Sequence, residues 1–347
     1  MSIPSDVRNK LKRPRYAVPV TILSLAAVAT VAYAKYRTIQ KSFTRTGTEA
    51  RANVLLNVPY GNFQLSSGTR VGQLALLQVQ TDDMEEDPPM HVRQTMNGNC
   101  ATLKVTLGTD EGMLGADKPI AGAQRAMTGF SLASAGSIRT EWGDIVSPQA
   151  PYPANAIAPN ASLLSDDDDR YQLFLTKEIP VSISAIFGFG ESIMDWTGLS
   201  VTSAYIETGA SNARVTLKAP NPFQMTGCKV SAGIGSFVMD GICNLNATRY
   251  EFSGGVGYYK LFFNGKLQRD LEARVEVGLG KVTIDIPPDA GRVQIYYDEN
   301  VFSSFSFQGL NRRRDGYATS VGFDQSTAPI LTLYLSSGMG KMEVRYK

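Results

Sequence analysis

Three aspartates stand at one offset in this 347-residue chain: Asp195, Asp240 and Asp285 each follow a glycine (Gly188, Gly233, Gly278) by seven residues. Paired carboxylates could support hydrolysis, one protonated and one ionised across a scissile bond. A catalytic pair needs a local departure from any repeat, and these three are the repeat itself. They read as positions near turns or on outward faces. Other chemistry has even less to start from. The single histidine, His91, lies in a proline-flanked strand segment, so a triad or a multi-histidine metal site cannot be built. Cys100, Cys228 and Cys243 permit at most one disulfide, with Cys228–Cys243 the nearer pair, and burial as free thiols fits equally well. The acidic runs "TDDMEEDPP" (81–89) and Asp166 to Asp169 lack the alternating spacing and central glycine of a calcium loop. Both read as solvated loops, the first closing a hairpin. No catalytic, cofactor-binding or metal-binding residue is therefore assigned, and no cofactor is expected.

The glycines carry more information than the acids. Gly-x-Gly or a near equivalent recurs in "FGFGESIMDWTG" (187–198), "TGASNARVTLKA" (208–219), "AGIGSFVMDG" (232–241), "GGVGYYKLFFNG" (254–265), "VGLGKVTIDIP" (277–287) and "SGMGKMEVRY" (337–346). From Gly188 through Gly209, Gly233, Gly255, Gly278 and Gly338 the spacings are 21, 24, 22, 23 and 60. A dinucleotide loop is excluded: the third glycine is missing after Gly188, no helix pattern follows, and one copy would suffice. A period of 20–25 residues instead signals stacked units, each offering two short strands and tight turns. Glycine at such corners allows positive φ and lets neighbouring coils approach without a Cβ. Ile193, Val215, Val238, Leu261, Val282 and Met342 are expected to form one apolar column inside the coil. The last, longer gap holds an excursion with two features of its own. Arg312, Arg313 and Arg314 read as a solvated hairpin tip, with anionic lipid or an acidic partner as the alternative. In "VFSSFSF", Phe305 and Phe307 share one strand face and Phe302 takes the other.

Upstream, "ANVLLNVPYGNFQLSSG", "GQLALLQVQ", "MHVRQT" and "CATLKVTLG" between residues 50 and 108 are strand-like. Residues 109–170 are rich in Gly, Ala, Ser, Pro and Asn and read as a long irregular loop. The N-terminus differs from everything else. Five of the 34 basic residues but one of the 32 acidic ones fall within 1–34, leaving 29 against 31 in the remainder. The folded region thus gives no electrostatic case for nucleic-acid binding. The basic stretch precedes the apolar run "AVPVTILSLAAVATVAYA" (17–34), which ends in Ala32-Tyr33-Ala34. It reads as a cleaved signal peptide, or as an uncleaved membrane anchor, followed by a basic linker at 35–49.

The order "YQLFLTKEIPVSISAIFGFGESIMDWTGLSVTSAYIETGAS", "SAGIGSFVMDG", "FSGGVGYYKLFFNG", "VGLGKVTIDIPPDAG" resembles bacterial toast-rack proteins, related to the C-terminal domains of LiaF-type envelope-stress proteins. The resemblance covers 171–347, with 50–108 similar to the family's N-terminal module. It implies an all-β, right-handed β-solenoid-like ladder behind an N-terminal β module and a signal or anchor helix. It implies no catalytic residues. The expected role is a non-enzymatic, exported cell-envelope scaffold, periplasmic or otherwise extracytoplasmic, contacting an envelope protein or cell-wall polymer. Self-association and membrane contact through 17–34 are compatible with it. The alternatives are an accessory sensor of envelope stress and a carbohydrate-active β-helix enzyme.

Overall fold

Each repeat strand is an apolar–polar alternation interrupted once, at its Gly-x-Gly, and the fold follows from that interruption. The computed structural model describes residues 37–82, 87–108, 169–314 and 316–347. The stretches 1–34 and 109–168, Asp166 to Asp168 among them, lie outside the described residues. Sixteen strands are present: β1 (Arg37–Thr44), β2 (Arg51–Ser67), β3 (Gln73–Thr81), β4 (Met90–Asn97), β5 (Cys100–Leu107), β6 (Arg170–Leu175), β7 (Val181–Asp195) and β8 (Val201–Thr216), followed by β9 (Cys228–Asp240), β10 (Arg249–Phe262), β11 (Leu271–Ile286), β12 (Arg292–Asp298), β13 (Ser303–Gln308), β14 (Leu310–Arg314), β15 (Tyr317–Ser320) and β16 (Ile330–Tyr346). No α-helix occurs among the described residues, and the strands form one mixed sheet.

Its centre is the parallel stack β2-β7-β8-β9-β10-β11-β16. Each unit contributes one long strand bent at its middle, where the sequence suggested two short strands. The halves fold toward each other. Phe252, before the bend of β10, meets Tyr259, after it, with ring centroids 5.0 Å apart and edge to face. Phe63 and Phe187 approach to 5.5 Å in the first two rungs. In-register stacking turns the alternation into columns. Leu56, Ala185, Ile206, Val230, Phe252, Val275 and Leu335 line up before the bend. Phe63, Ser192, Ala213, Phe237, Tyr259, Val282 and Met342 line up after it, followed by a second column of Leu65, Met194, Val215, Met239, Leu261, Ile284 and Val344. All of these are buried, and burial of a large apolar side chain contributes roughly 1.5–3 kcal/mol.

The single column expected from sequence is therefore corrected. Val215, Leu261, Val282 and Met342 are inside but split between two columns, whereas Ile193 and Val238 face outward. The bend shifts the inside–outside parity by one, which a fixed offset from glycine does not capture. The glycines themselves stack as anticipated. A Cβ on Gly209, Gly233, Gly255 or Gly338 would lie 2.6–2.7 Å from the carbonyl oxygen of the glycine one rung back. Such a contact is not tolerated by backbone, so glycine is needed wherever a continuous rung bends against another. In "GGVGYY" the first glycine has a different cause: a Cβ on Gly254 would enter the Tyr259 ring at 2.5 Å.

The ends of the stack are built differently. β5 pairs with the first half of β2 and β6 with its second half, so together they make one rung whose two halves are far apart in sequence. At the other end β12 pairs with the first half of β16 and β13 with its second half. The 60-residue spacing before Gly338 has its explanation here: β16 inserts between β11 and the split rung that precedes it in the chain. Three smaller expectations also change. Residues 37–44, read as belonging to a linker, form β1 and pair with β3. The 81–89 run does not close a hairpin, because β3 pairs with β1 and β6 while β4 pairs with β5. Pro59-Tyr60-Gly61 in β2 is a further bend, continuous with that of β7. Buried amides tie the connections between rungs: Asn221 Nδ2 donates to the carbonyls of Val201 (2.6 Å) and Leu245 (3.2 Å), and Asn244 Nδ2 to that of Leu217 (2.9 Å).

Candidate binding surface

The repeat aspartates fall in one outward column, Asp195–Thr216–Asp240–Phe262–Asp285–Arg345, and the stack thereby separates them by two rungs each. Two rungs amount to roughly 9.6 Å of sheet. Each carboxylate already has a structural partner. Asp195 accepts the Thr197 amide (2.9 Å), Asp240 accepts Asn264 Nδ2 (2.7 Å), and Asp285 takes both Arg345 donors (2.6 and 2.8 Å). His91 lies in β4 opposite Thr106. The three cysteines are free and buried; burial pushes the Cys228 thiol up to about 12, and burial with the Asp289 charge does the same for Cys243.

The arginine cluster is not a free basic tip. Arg312 donates to the Tyr297 hydroxyl (2.9 Å) and to Glu299 (3.1 Å), and its guanidinium covers the Tyr297 and Phe307 rings at 5.3 and 5.8 Å. Arg313 donates to Thr319 Oγ1 (3.1 Å) and reaches Asp324 (3.5 Å). Both arginines thus pin the β14–β15 hairpin to the split rung. Phe305 is buried and Phe307 half-buried against Tyr297, while Phe302 is exposed, as the strand alternation anticipated.

Sequence reasoning missed the groove beside this hairpin. Outward positions of β10, β11, β16, β12 and β15 align as Glu251, Arg274, Tyr334, Tyr296 and Tyr317. The Tyr334 and Tyr296 rings stack at 5.3 Å with planes 15° apart, and Tyr296 meets Tyr317 at 5.0 Å. Arg274 covers Tyr334 at 5.6 Å from its ring centroid and approaches Glu272 to 3.8 Å. Burial, then the Glu272 charge and Tyr296, raise the Tyr334 phenol, with Arg274 opposing. The next outward column holds Glu276, Ser336 and Asp298. Together these residues line a shallow cavity of about 310 Å³, floored by Leu335 and Tyr297 and closed by Gly316. Cavities of this size sit at the small end of those that hold one ligand group or side chain. With its ring faces occupied by neighbours, the tyrosine stack presents ring edges and hydroxyls beside two carboxylates. That arrangement suits hydrogen bonding to a polar ligand. The three tyrosines come from strands whose spatial order differs from their chain order, so no fixed spacing betrays them.

The fold and surface define an all-β protein built on one large open sheet. No family model and no curated relative matches the chain. A solved structure from Clostridium sporogenes ATCC 15579, described as "a putative cell adhesion protein", is similar at 12% sequence identity and a TM-score of 0.40, over 90% of this chain and 100% of that one. No helix among the described residues is long and apolar enough to cross a membrane.

Proposed function

We propose that this chain is a non-enzymatic cell-envelope protein whose β-repeat ladder, of the toast-rack kind, is an interaction or scaffold module. Its partner is an envelope protein or a cell-wall polymer held at the outer face of the sheet. The observation that carries this reading is the tyrosine-lined groove at the β12–β15 end, where stacked rings, Arg274, Glu276 and Asp298 converge. Export is supported by the basic stretch and apolar run of 1–34. The repeat aspartates favour a structural role, because each is held by neighbours from its own or an adjacent segment.

The test is capture from envelope extract and from purified cell-wall polymer, with the wild-type chain and a Tyr296→Ala/Tyr334→Ala variant as baits. The expected result is one partner or polymer retained by wild type and reduced at least tenfold with the variant. Equal capture by both would move the function away from this groove, and no specific capture by either would refute the module itself.

A further inference from the structure

The bends of the rungs leave one line of apolar side chains outside the core. Tyr60, Phe189, Ala210, Ile234, Val256, Leu279 and Met339 occupy equivalent positions in seven successive rungs. Phe302 extends the line, since its carbonyl accepts the Gly340 amide beside Met339. Tyr60, Ile234, Val256, Leu279, Met339 and Phe302 are 43–67% exposed. The line is a convex ridge roughly 30 Å long at about 4.8 Å per rung. Glycines on each side lower its flanks and leave the apolar side chains proud. Isolated exposed apolar residues need no explanation, but a contiguous row in register does.

Its shape and position identify the occupant. A ridge one side chain wide against a second copy would bury about 600 Å² in total, well short of the roughly 1,200 Å² of a stable interface. A convex apolar edge fits a medium that deforms around it. Arg37, where the described chain begins, pairs with Thr81; the next pairs, Gln80 with Arg170 and Arg170 with Asn62, lead to the bend at Gly61. The apolar run 17–34 therefore ends just before a point on the same line, about three strands beyond Tyr60. Lys281 and Lys341 border the ridge on one side and Glu276 and Asp298 on the other, a mixed-sign margin that matches zwitterionic head groups. Tyr60 and Tyr258 add the amphipathic rings favoured at a membrane–water boundary.

We propose that this ridge lies in the surface of a lipid bilayer, laying the ladder along the membrane beside the apolar segment at 17–34. The inference rests on the envelope reading above. It is tested with the full chain on phosphatidylcholine vesicles, labelled with an environment-sensitive dye at Val256→Cys or, as reference, at Phe223→Cys in the connection remote from the bend. The native cysteines are buried and stay unlabelled. Co-sedimentation reads tethering, and quenching by brominated lipid reads the ridge, so the two ideas fail separately. The expected result is at least threefold stronger quenching at position 256 than at 223, abolished by Ile234→Asp/Leu279→Asp with the thermal melt unchanged. Equal quenching on vesicle-bound protein overturns the proposal, as does quenching that survives the double substitution. A dye at 256 shielded without vesicles also overturns it: a dimer in sedimentation assigns the ridge to a second copy, and a monomer assigns it to the chain's own 109–168 segment.

Discussion

The middle rungs and the end rungs occupy the same register but are made in different ways. In β7 to β11 one strand runs through the bend, and its backbone must pass within contact distance of the previous bend; glycine is the consequence. In β5/β6 and β12/β13 the rung is two separate strands, with Asp298 and Ser303 flanking the missing bend at one end and Gly108 and Asp169 at the other. Freed from the bend, these rungs carry insertions: 109–168 leaves from one, and 299–302 with the β14–β15 hairpin from the other. The groove lies at the second. The centre of the ladder supplies uniform stability, and its interrupted ends supply the irregular surface on which recognition depends. This division fits the general pattern of function on the irregular regions of a repetitive scaffold.

The sharpest way to break the comparison is to place side chains in one column of the bend. Gly280 has φ +147°, and a Cβ there would meet the Gly257 carbonyl oxygen at 2.0 Å. Gly280→Val adds backbone strain to a clash with main chain, and a loss of about 3–5 kcal/mol is expected. The same column in the split rung is Ser303, which already accommodates a side chain and accepts the Asn300 amide at 3.2 Å. Ser303→Ala is expected to cost about 1 kcal/mol or less. Urea unfolding of the two variants measures the contrast; similar losses would mean that the bend is not what demands glycine.

A smaller effect separates connections from edges. Asn221 is buried, and its amide also accepts the Val201 N–H at 3.0 Å while donating to two carbonyls. Asn221→Ala leaves those backbone groups without a partner and is expected to cost about 2–3 kcal/mol. The exposed Arg312–Glu299 pair of the terminal hairpin should be worth less than about 1 kcal/mol by double-mutant cycle. A reversal of that order would show the hairpin, and not the stack, to be the firmer element.

How much of this could be read from residues alone follows from the same division. The repeat glycines mark the bends because a steric demand recurs at every rung, and Leu261 and Phe263 after Gly257 are core as their alternation implies. The inside–outside assignment failed at Ile193 and Val238 because the bend changes parity, which has no residue type of its own. Tyr296, Tyr317 and Tyr334 were invisible as a set, since their meeting depends on β16 inserting ahead of β12. Pro59-Tyr60-Gly61 escaped notice because proline stands where the later copies have glycine. The exposed row at the centre of each Gly-x-Gly was in plain view, but only the register shows that it is continuous.

The last and smallest contrast concerns acid. Glu49 precedes β2, at the end of the stack where the rung is split. Its carboxylate is buried and accepts the Thr46 amide at 2.7 Å, the Thr46 hydroxyl at 3.0 Å and the Gly47 amide at 2.9 Å. The Thr46 backbone bond is the largest of these influences; desolvation opposes them, and the group is held down at about 2 from an ordinary 4.5. A carboxylate depressed in the folded state stabilises fully above its unfolded value, and that contribution is lost as pH falls from about 4.5 toward 2. Glu49→Gln keeps the shape and removes the titration. The wild-type minus variant difference in unfolding midpoint should be constant above about pH 5 and shrink steadily between about pH 4.5 and 2, with every other carboxylate cancelling in the subtraction. Arg45, which bridges Glu49 at 4.0 Å and pairs with Glu178, links this turn to the segment between β6 and β7. Amide exchange in β1 and β2 should therefore speed up before that in β9 and β10 as acid is added. Uniform exchange across all four strands would show that the split end and the continuous centre open together, and the two regions would then be one cooperative unit.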